Sequence, residues 1–245
     1  MKTSGNTIFI SGGSAGIGLA IAKKLSAAGN KIIINGRSEE RLQNALKELT
    51  NTVAIQGDLS EKEDRIRISN ELSENHPEVN IIINNAGIAF LNELTNKSIN
   101  SSEIAAQEMN TNYVAVIDFT ELMLSQLLNQ ENAAIVNITS IAAFRGNKYG
   151  PTYAASKAAL HSYTEGLRDV FEENENLTIF EVFPPLVNTA FSAAIGGENG
   201  IPPSEVADEL FLALEKNQLE VPVGDSKKIH TTIQEAFKNS KNIKK

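Results

Sequence analysis

The chain has 245 residues, a formal net charge of −8 and no cysteine. The absence of cysteine excludes disulfides, thiolate metal sites and cysteine nucleophiles, and it fits a reducing cytoplasm. No basic stripe precedes the last few residues, so we expect no nucleic-acid or anionic-membrane surface. We also expect no signal peptide and no membrane helix, because no apolar run approaches the ~18 residues that a bilayer requires. The three histidines lack the spacing of metal ligands, and no metal site is predicted.

Short apolar runs alternate with helical stretches along the chain. The runs are mostly continuous Val, Ile and Phe, which is typical of strands buried on both faces of a parallel sheet. We predict strands near residues 7–11, 31–35, 52–56, 79–83, 133–139, 177–183 and 220–223. We predict helices near residues 16–29, 38–49, 61–75, 101–130, 151–174 and 203–216. The pattern indicates an α/β fold of the Rossmann type, a doubly wound parallel sheet of about seven strands with helices on both faces.

The alternation runs without a Pro/Ser-rich linker, an internal repeat or a low-complexity block. We therefore predict a single domain over residues 1–245. Its cofactor part is expected at about 1–130, its catalytic and substrate part at about 131–225, and a flexible C-terminal tail at about 238–245.

A glycine-rich turn follows the first predicted strand. Residues 11–18 include Gly12, Gly16 and Gly18 and lead into apolar residues at helical spacing, which stop at Gly29. Glycines let the backbone turn sharply and let a pyrophosphate approach main-chain N–H groups at the positive end of a helix. Three residues separate Gly12 from Gly16, unlike the one-then-two spacing of the commoner dinucleotide fingerprint. A lone glycine-rich turn is not specific, so its meaning depends on the rest of the chain.

Tyr153 and Lys157 stand four residues apart in a predicted helix. They share one face, with Cβ atoms about 5–6 Å apart, so the ammonium favours the phenolate and lowers the phenol pKa from its usual ~10. A phenol with a lowered pKa is a usable acid for carbonyl reduction. Ser140 ends the strand at 133–139, and its hydroxyl is expected to point off the sheet edge toward the same crevice. The alternative for Tyr153 and Lys157 alone is an ordinary amphipathic helix with a buried Tyr and a surface Lys.

Together these motifs resemble the short-chain dehydrogenase/reductase family, in its non-extended branch. The resemblance covers essentially the whole chain in order: the glycine turn, Asp58, Asn84-Asn85-Ala86-Gly87, Asn112, Ser140, Tyr153, Lys157 and residues 184–189. Within the family, the chain resembles the bacterial oxidoreductases associated with D-alanylation of lipoteichoic acid, through residues 12–18, 157–162 and Pro184-Pro185.

The resemblance implies a catalytic set of four residues. Tyr153 transfers the proton, Lys157 lowers its pKa and holds the ribose, and Ser140 orients the substrate oxygen. Asn112 disturbs its helix and holds a water of the proton path. Asn110 is the competing candidate for that last role, and a solvent-facing Asn112 is the structural alternative.

The resemblance also implies a nicotinamide cofactor. Gly36 stands where an acid usually binds the ribose 2′-hydroxyl, and Arg37 follows it, which favours NADP(H) because a guanidinium accommodates a 2′-phosphate. The alternative is a surface Arg37 paired with Glu39 or Glu40. Asp58 has its own alternative as a loop cap. The predicted cofactor-binding residues are Gly12, Ser14, Gly16, Ile17, Gly18, Arg37, Ser38, Asp58, Leu59, Asn85, Ala86, Gly87, Tyr153, Lys157, Pro184, Val187 and Thr189.

One departure from the family pattern concerns the segment after the sixth strand. Family members usually have Pro-Gly there, whereas this chain has Pro184-Pro185, which has a fixed φ and no N–H at the second position. Carboxamide contacts from Val187 and Thr189 are therefore in doubt. Residues 190–203 are predicted to form a mobile lid, and residues 141–144 with Ile88 and Phe90 predict a largely apolar pocket.

The sequence thus predicts an NADP(H)-dependent oxidoreductase that transfers a hydride between nicotinamide and the carbonyl or hydroxyl carbon of a small, largely apolar substrate. The alternative is an NADPH-binding redox-sensing regulator or scaffold without turnover. A homodimer or homotetramer is expected through the helices at 101–130 and 151–174. The second of these carries more apolar residues than one inward face would use: Ala158, Ala159, Leu160, Tyr163, Leu167 and Val170.

Overall fold

Seven strands form one parallel sheet in the computed structural model, which describes residues 1–92, 95–96, 98–146 and 148–243. The strands are β1 (Thr7–Ile10), β2 (Lys31–Gly36), β3 (Thr52–Gln56), β4 (Val79–Asn84), β5 (Ala133–Ile138), β6 (Leu177–Phe183) and β7 (Glu220–Pro222). Their order in the sheet is β3-β2-β1-β4-β5-β6-β7, and every pairing is parallel. The Rossmann-type α/β prediction is confirmed.

Helices cover both faces of the sheet. They are α1 (Gly16–Ala27), α2 (Glu39–Leu46), α3 (Lys62–Asn75), α4 (Ser101–Met109), α5 (Ala115–Leu128), α6 (Pro151–Val170), α7 (Pro203–Lys216) and α8 (Ser226–Ile243). A short π-helix of five residues, Asn110–Val114, joins α4 to α5. In the described part of the chain, no helix has both the length and the apolar character needed to cross a bilayer.

The core lies on both sides of the strands, as their continuous apolar sequences predict. Alternate residues of one strand face opposite ways. In β1, Ile8 and Ile10 therefore pack with the residues of α1 and α7, whereas Phe9 faces α3 and α5. The ring of Phe9 lies 5.0 Å, centroid to centroid, from that of Phe119 on α5.

The strand order reverses between β1 and β4, and this reversal positions the site. Ile10 pairs with Ile83, so the turn after β1 and the segment after β4 leave the sheet side by side. The N–H of Ser11 continues the pairing by donating to the carbonyl of Ile83 at 3.0 Å. Crevices at such a reversal are where open α/β sheets bind ligands.

Two helices differ from the sequence prediction. The predicted helix at 101–130 is interrupted by the π-helical residues, and α8 replaces most of what was predicted as a tail. The sequence of α8 is largely polar, so its helix is apparent only once it packs on β7, where His230 and Gln234 contact Glu220. Its backbone extends through residue 243, and residues 244–245 of the predicted tail lie outside the described residues.

Candidate active site

The predicted site residues follow the carboxyl ends of successive strands. Residues 11–18 follow β1, residues 37–38 follow β2, residues 58–59 follow β3, and residues 85–87 follow β4. Ser140 follows β5, and residues 184–189 follow β6. Because all these strands are parallel, their carboxyl ends meet at one edge of the sheet. The side chain of Leu59 is an exception, since it packs in the core beside α3.

The glycine turn has the conformation that only glycine adopts readily. Gly12 and Gly16 have φ values of +65° and +55°. A Cβ on Gly12 would stand 2.9 Å from the side-chain nitrogen of Asn85, and one on Gly18 would stand 2.3 Å from the carbonyl oxygen of Gly12. Helix α1 begins at Gly16 without a side-chain cap from Ala15 and without an acid in its first turn. Its N-terminal amides therefore remain available to an anion.

Residues 84–87 hold this turn in place. The Asn85 side chain donates to the carbonyls of Ser11 and Gly12 at 2.9 and 3.2 Å. The backbone N–H groups of Asn85 and Ala86 both donate to the Ser11 hydroxyl, at 2.9 and 3.0 Å. This segment is thus built into the architecture of the turn.

At the other end of the crevice, Arg37 lies on the surface with its side chain 70% exposed. Its Nη1 is 3.6 Å from Oδ2 of Asp58, so its ion-pair partner is neither Glu39 nor Glu40. Asp58 also accepts hydrogen bonds from the N–H and hydroxyl of Ser60, as a loop cap does. Ser38 caps α2 by accepting from the N–H of Arg41. Arg67, which sequence reasoning did not select, lines the same groove.

Ser140, Tyr153 and Lys157 lie close to one another. The hydroxyl of Ser140 forms a hydrogen bond with the Tyr153 phenol and accepts one from the N–H of Ala142 at 3.1 Å. The Nζ of Lys157 lies 5.9 Å from the centroid of the Tyr153 ring. It donates to the carbonyl of Ile138 at 2.9 Å.

Burial dominates the titration of both groups. It raises the pKa of Tyr153 to about 12. The hydrogen bond from Ser140 opposes this rise in pKa, and the negative charge of Glu108 adds to it. Burial lowers the pKa of Lys157 to about 8, against the negative charge of Glu181. The expected lowering of the tyrosine pKa by Lys157 is therefore not found: desolvation of the phenolate is the main cause of the shift, and the Lys157 ammonium donates to the Ile138 carbonyl.

Asn112 lies within the π-helical residues and is fully buried. Its Oδ1 accepts from the N–H of Ile88 at 2.8 Å, and its Nδ2 donates to the Ile88 carbonyl at 2.8 Å and to the Ser156 hydroxyl at 3.0 Å. Asn110, the competing candidate, is exposed and donates to the carbonyl of Ser60. The helix irregularity expected at Asn112 is present, and the water-holding role of Asn112 stays a prediction.

The segment after β6 returns to the glycine turn. Thr189 lies so close that a Cβ on Gly16 would stand 3.3 Å from its methyl group. Val187 is buried and pairs with Ile201 as an isolated parallel bridge. Pro184 accepts a hydrogen bond from the N–H of Ile141 at 3.0 Å. The disturbance of nicotinamide contacts that the sequence suggests for Pro185 stays a prediction.

Large apolar side chains are exposed in two segments that follow strands of the site. The Phe191 ring centroid is 6.1 Å from that of Tyr153. Phe191 and Ile195, from the short 3-10 segment Ala190–Ile195, are both exposed, as are Phe90 and Leu91 in the segment that follows β4; these four side chains are called the apolar rim. The predicted lid region therefore carries large apolar side chains toward solvent.

Two buried acids near the site were missed by sequence reasoning. Glu108 on α4 and Glu181 on β6 are fully buried, and each acts on a titrating residue of the site. Glu181 is paired with His161 at 3.0 Å and Arg168 at 3.2 Å. A single acid in a helix or strand carries no sequence signal of burial, because solvated acids are far commoner.

The comparisons with known proteins agree with this geometry. A family model described as short chain dehydrogenase matches residues 6–199. The chain belongs to the short-chain dehydrogenase family. Uncharacterized oxidoreductase DltE of Bacillus subtilis (strain 168) is 34% identical over 212 residues, covering 86% of this chain and 83% of that protein. An uncharacterized oxidoreductase of Staphylococcus saprophyticus is 28% identical over 214 residues, covering 84% and 90%. The family predicted from the sequence, and within it the resemblance to the oxidoreductases associated with D-alanylation of lipoteichoic acid, are confirmed, and the chain is an oxidoreductase of this family.

Two solved structures share the fold. A short chain dehydrogenase from Burkholderia cenocepacia in complex with NADP has a TM-score of 0.84 at 23% identity, covering 96% of this chain and 94% of its own. A short chain dehydrogenase/reductase from Burkholderia phymatum in complex with NAD has a TM-score of 0.84 at 21% identity, covering 91% and 90%. At these identities the likeness establishes the fold.

Proposed function

We propose that this oxidoreductase transfers a hydride between NADP(H) and the carbonyl or hydroxyl carbon of a small, largely apolar substrate. The observation that carries the proposal is the convergence of Ser140, Tyr153 and Lys157 at the sheet edge where a glycine turn opens helix α1 without a side-chain cap. A hydroxyl, a phenol and an ammonium at one point are the groups that carbonyl reduction requires.

The residues present fit a dinucleotide. Gly12 and Gly16 have positive φ values that shape the turn, and helix α1, which starts there, has no side-chain cap and no acid in its first turn, so its positive end can receive a pyrophosphate. The bound nicotinamide would supply or accept the hydride, and in its oxidised form it would add a positive charge near the phenol. Lys157, whose Nζ lies beside Gly87, and Thr189, which lies beside Gly16, are the residues that would hold it.

Each catalytic residue has a separate task in this proposal. Tyr153 donates its phenolic proton to the substrate oxygen in the reductive direction and takes it back in the oxidative one. Ser140 donates a hydrogen bond to the same oxygen and so orients it. Lys157 contributes positive charge when protonated, and Asn112 fixes the backbone of Ile88 at the floor of the site.

The preference for NADP(H) rests on Arg37 and Gly36. The two solved structures compared above bind NADP in one case and NAD in the other, so the fold does not decide the cofactor. An exposed guanidinium beside a glycine favours the 2′-phosphate, because no carboxylate at residue 36 repels it or binds the ribose hydroxyls. The apolar rim of Phe90, Leu91 and Phe191 favours an apolar substrate. The cytoplasmic location stays a prediction.

The decisive experiment is to follow NADPH consumption with a panel of aldehydes and ketones, in the wild type and in Tyr153→Phe. We expect turnover with at least one carbonyl, and a loss of about 10²-fold or more in kcat in the variant, because only the proton donor is removed. NADPH binding, followed by fluorescence titration, should be unchanged.

Tyr163→Phe is the matched control, since it removes a phenol from the same helix at a position that packs against Tyr113. It should leave turnover unchanged. Full activity in Tyr153→Phe would contradict the assignment of the acid. Tight NADPH binding without turnover on any carbonyl would favour the redox-sensing alternative.

A further inference from the structure

Ser140 stands at the start of a short turn that ends at a phenylalanine. The 3-10 turn Ile141–Ala143 follows Ser140 directly, and Phe144 closes it. The Ser140 hydroxyl, which forms a hydrogen bond with the Tyr153 phenol, accepts the N–H of Ala142 at 3.1 Å. Ser140 and this donor belong to one turn, so a displacement of the turn moves the hydroxyl relative to the phenol.

Phe144 anchors the carboxyl end of this turn by ring packing. The two residues before it are alanines, whose methyl groups bury little apolar area, whereas an aromatic side chain buries on the order of 150–250 Å². The Phe144 ring centroid lies 4.8 Å from that of His161 and 5.1 Å from that of Phe183. The ring of His230 is a third neighbour, at 6.1 Å. These three neighbouring rings are called the ring seat.

The ring seat is built from three elements. His161 lies on α6, one helical turn after Lys157, Phe183 is the last residue of β6, and His230 lies on α8. The Phe183 ring packs against both imidazoles, with centroid distances of 5.6 Å to His161 and 5.3 Å to His230. The seat of Phe144 therefore joins the helix that carries Tyr153 to the C-terminal helix.

Carboxylates orient both imidazoles of the seat. The Nδ1 of His161 lies 3.0 and 3.1 Å from the two oxygens of the buried Glu181. The Nε2 of His230 lies 2.9 Å from Oε2 of Glu220. Arg168 joins the two acids, at 3.2 Å from Glu181 and 3.5 Å from Glu220. A carboxylate on one ring nitrogen fixes the orientation of an imidazole, so the buried Glu181 holds one wall of the ring seat.

We propose that Phe144 is a positioning residue of the active site, which fixes the turn that directs the Ser140 hydroxyl to the Tyr153 phenol. Helix α8 takes part in this role because His230 completes the ring seat. The role rests on the proposed function, in which Ser140 orients the substrate oxygen. Ordinary core packing would stabilise the chain without acting through Ser140, and the two roles predict different results for the position of Ser140 and for turnover.

The direct test is to determine crystal structures of the wild type and of Phe144→Ala. In the wild type, the hydroxyl oxygens of Ser140 and Tyr153 should lie about 2.5–3.0 Å apart, as in a hydrogen bond. In Phe144→Ala they should separate beyond ~3.5 Å, because the turn has lost its anchor. Phe211→Ala is the matched control, since it truncates a partly buried phenylalanine on α7, and it should leave the two oxygens in place. An unmoved Ser140 in Phe144→Ala would overturn the proposal.

Turnover provides a second test in the form of a double-mutant cycle. With a carbonyl substrate, Phe144→Ala should lower kcat by about 10- to 100-fold, as a small misplacement of a catalytic group does, and leave the Kd of NADPH unchanged. In a Ser140→Ala background the same substitution should lower kcat by less than about twofold, because residues that act as a unit are not additive. His230→Ala should show the same dependence on Ser140. Equal losses from Phe144→Ala in both backgrounds would contradict a role through Ser140.

Phe144→Leu replaces Phe144→Ala in both tests if the alanine variant does not fold. It keeps most of the apolar volume but loses the flat ring, so it should displace Ser140 and show the same dependence on Ser140 at smaller magnitude. An unmoved Ser140 in this variant would be equally fatal. A failure of the proposed function would appear as full activity in Tyr153→Phe, whereas a failure of the Phe144 role would appear in the position of Ser140, which the crystal structures record without turnover.

Discussion

Arg37 shows how one side chain can direct cofactor choice. Its guanidinium is 70% exposed and pairs loosely with Asp58 at 3.6 Å. Exposed ion pairs contribute roughly 0–1 kcal/mol, so this one can open easily for a phosphate. A phosphate would replace it with shorter, charge-assisted hydrogen bonds.

We therefore expect Arg37→Ala to weaken NADPH binding by about 1.5–3 kcal/mol, the range for a hydrogen bond to a charged group. NADH binding should be almost unaffected, so the preference should fall roughly ten- to a hundredfold. The measurement is kcat/KM for both cofactors. Arg41→Ala, an exposed arginine in α2, controls for the loss of charge. Equal losses for NADH and NADPH in Arg37→Ala would show that Arg37 is only structural.

Adding Gly36→Asp to Arg37→Ala should carry the preference further toward NADH. The new carboxylate repels a 2′-phosphate and accepts hydrogen bonds from the ribose hydroxyls. A Cβ at residue 36 would stand 2.9 Å from the Ser14 hydroxyl, so Ser14 must change rotamer. The double variant should therefore gain NADH preference at a small cost in thermal stability.

At the scale of elements, the π-helical residues between α4 and α5 aim a polar side chain into the core. A π-helical turn rotates the residues that follow it relative to a continuous α-helix. Here it directs Asn112 toward Ile88 and Ser156, while Asn110 stays at the surface. The continuous helix predicted over 101–130 would contain no such π-helical turn. Turns of this kind are common at functional sites.

Asn112→Ala should lower the free energy of unfolding by about 1–3 kcal/mol, because it leaves the N–H and carbonyl of Ile88 without partners. Turnover should also fall, since Ile88 lies at the floor of the site. Asn110→Ala is the control and should change stability by less than about 0.5 kcal/mol, as surface substitutions do. Urea denaturation and kcat of both variants decide between the two asparagines, and equal effects would contradict the assignment of Asn112.

At the scale of the whole molecule, the buried Lys157 couples stability to pH. Its pKa in the folded chain is about 8, against an ordinary value of 10.5. Between these values the unfolded chain binds more protons than the folded one, so this residue's contribution to stability rises with pH across the window.

The free energy of unfolding of the wild type, relative to Lys157→Met, should therefore increase by up to about 3 kcal/mol as the pH rises through this window. Urea denaturation at a series of pH values measures the difference. Lys216→Met, at an exposed lysine, should give a constant difference over the same range. A constant difference for Lys157→Met would mean that Lys157 keeps its ordinary pKa.

The oligomer predicted from the sequence is still to be tested. Of the surplus apolar residues on α6, Leu160 and Leu167 are buried in the chain's own core, but Val170 is 73% exposed. Leu122 on α5 is also exposed. These two side chains support an interface built from α5 and α6.

Light scattering should report a dimer or tetramer at micromolar concentration, and both Leu122→Glu and Val170→Glu should shift it toward monomer. Ile66→Glu, at an exposed apolar residue on α3, is the control and should not. A wild-type monomer would exclude the predicted assembly.

The sequence by itself determined the strands, most helices, the glycine turn and the edge at which the site lies. These follow from local patterns: continuous Val/Ile runs bury both faces of a strand, helical spacing marks α1 and α6, and the glycines at residues 12, 16 and 18 mark a sharp turn, where Gly12 and Gly16 indeed have positive φ values. The offset from Tyr153 to Lys157 likewise places both on one helix face by geometry alone.

Only the tertiary structure decided which charges surround Tyr153. Burial, which sets the pKa of Tyr153 and Lys157, depends on segments far apart in the chain that enclose them together. The pairing of Arg37 with Asp58 joins the ends of two strands, and the hydrogen bond from Asn112 to Ser156 links the π-helical residues to α6. Desolvation and charge act through space, so no spacing in the sequence could show that Glu108 and Glu181 would be the buried acids near the site.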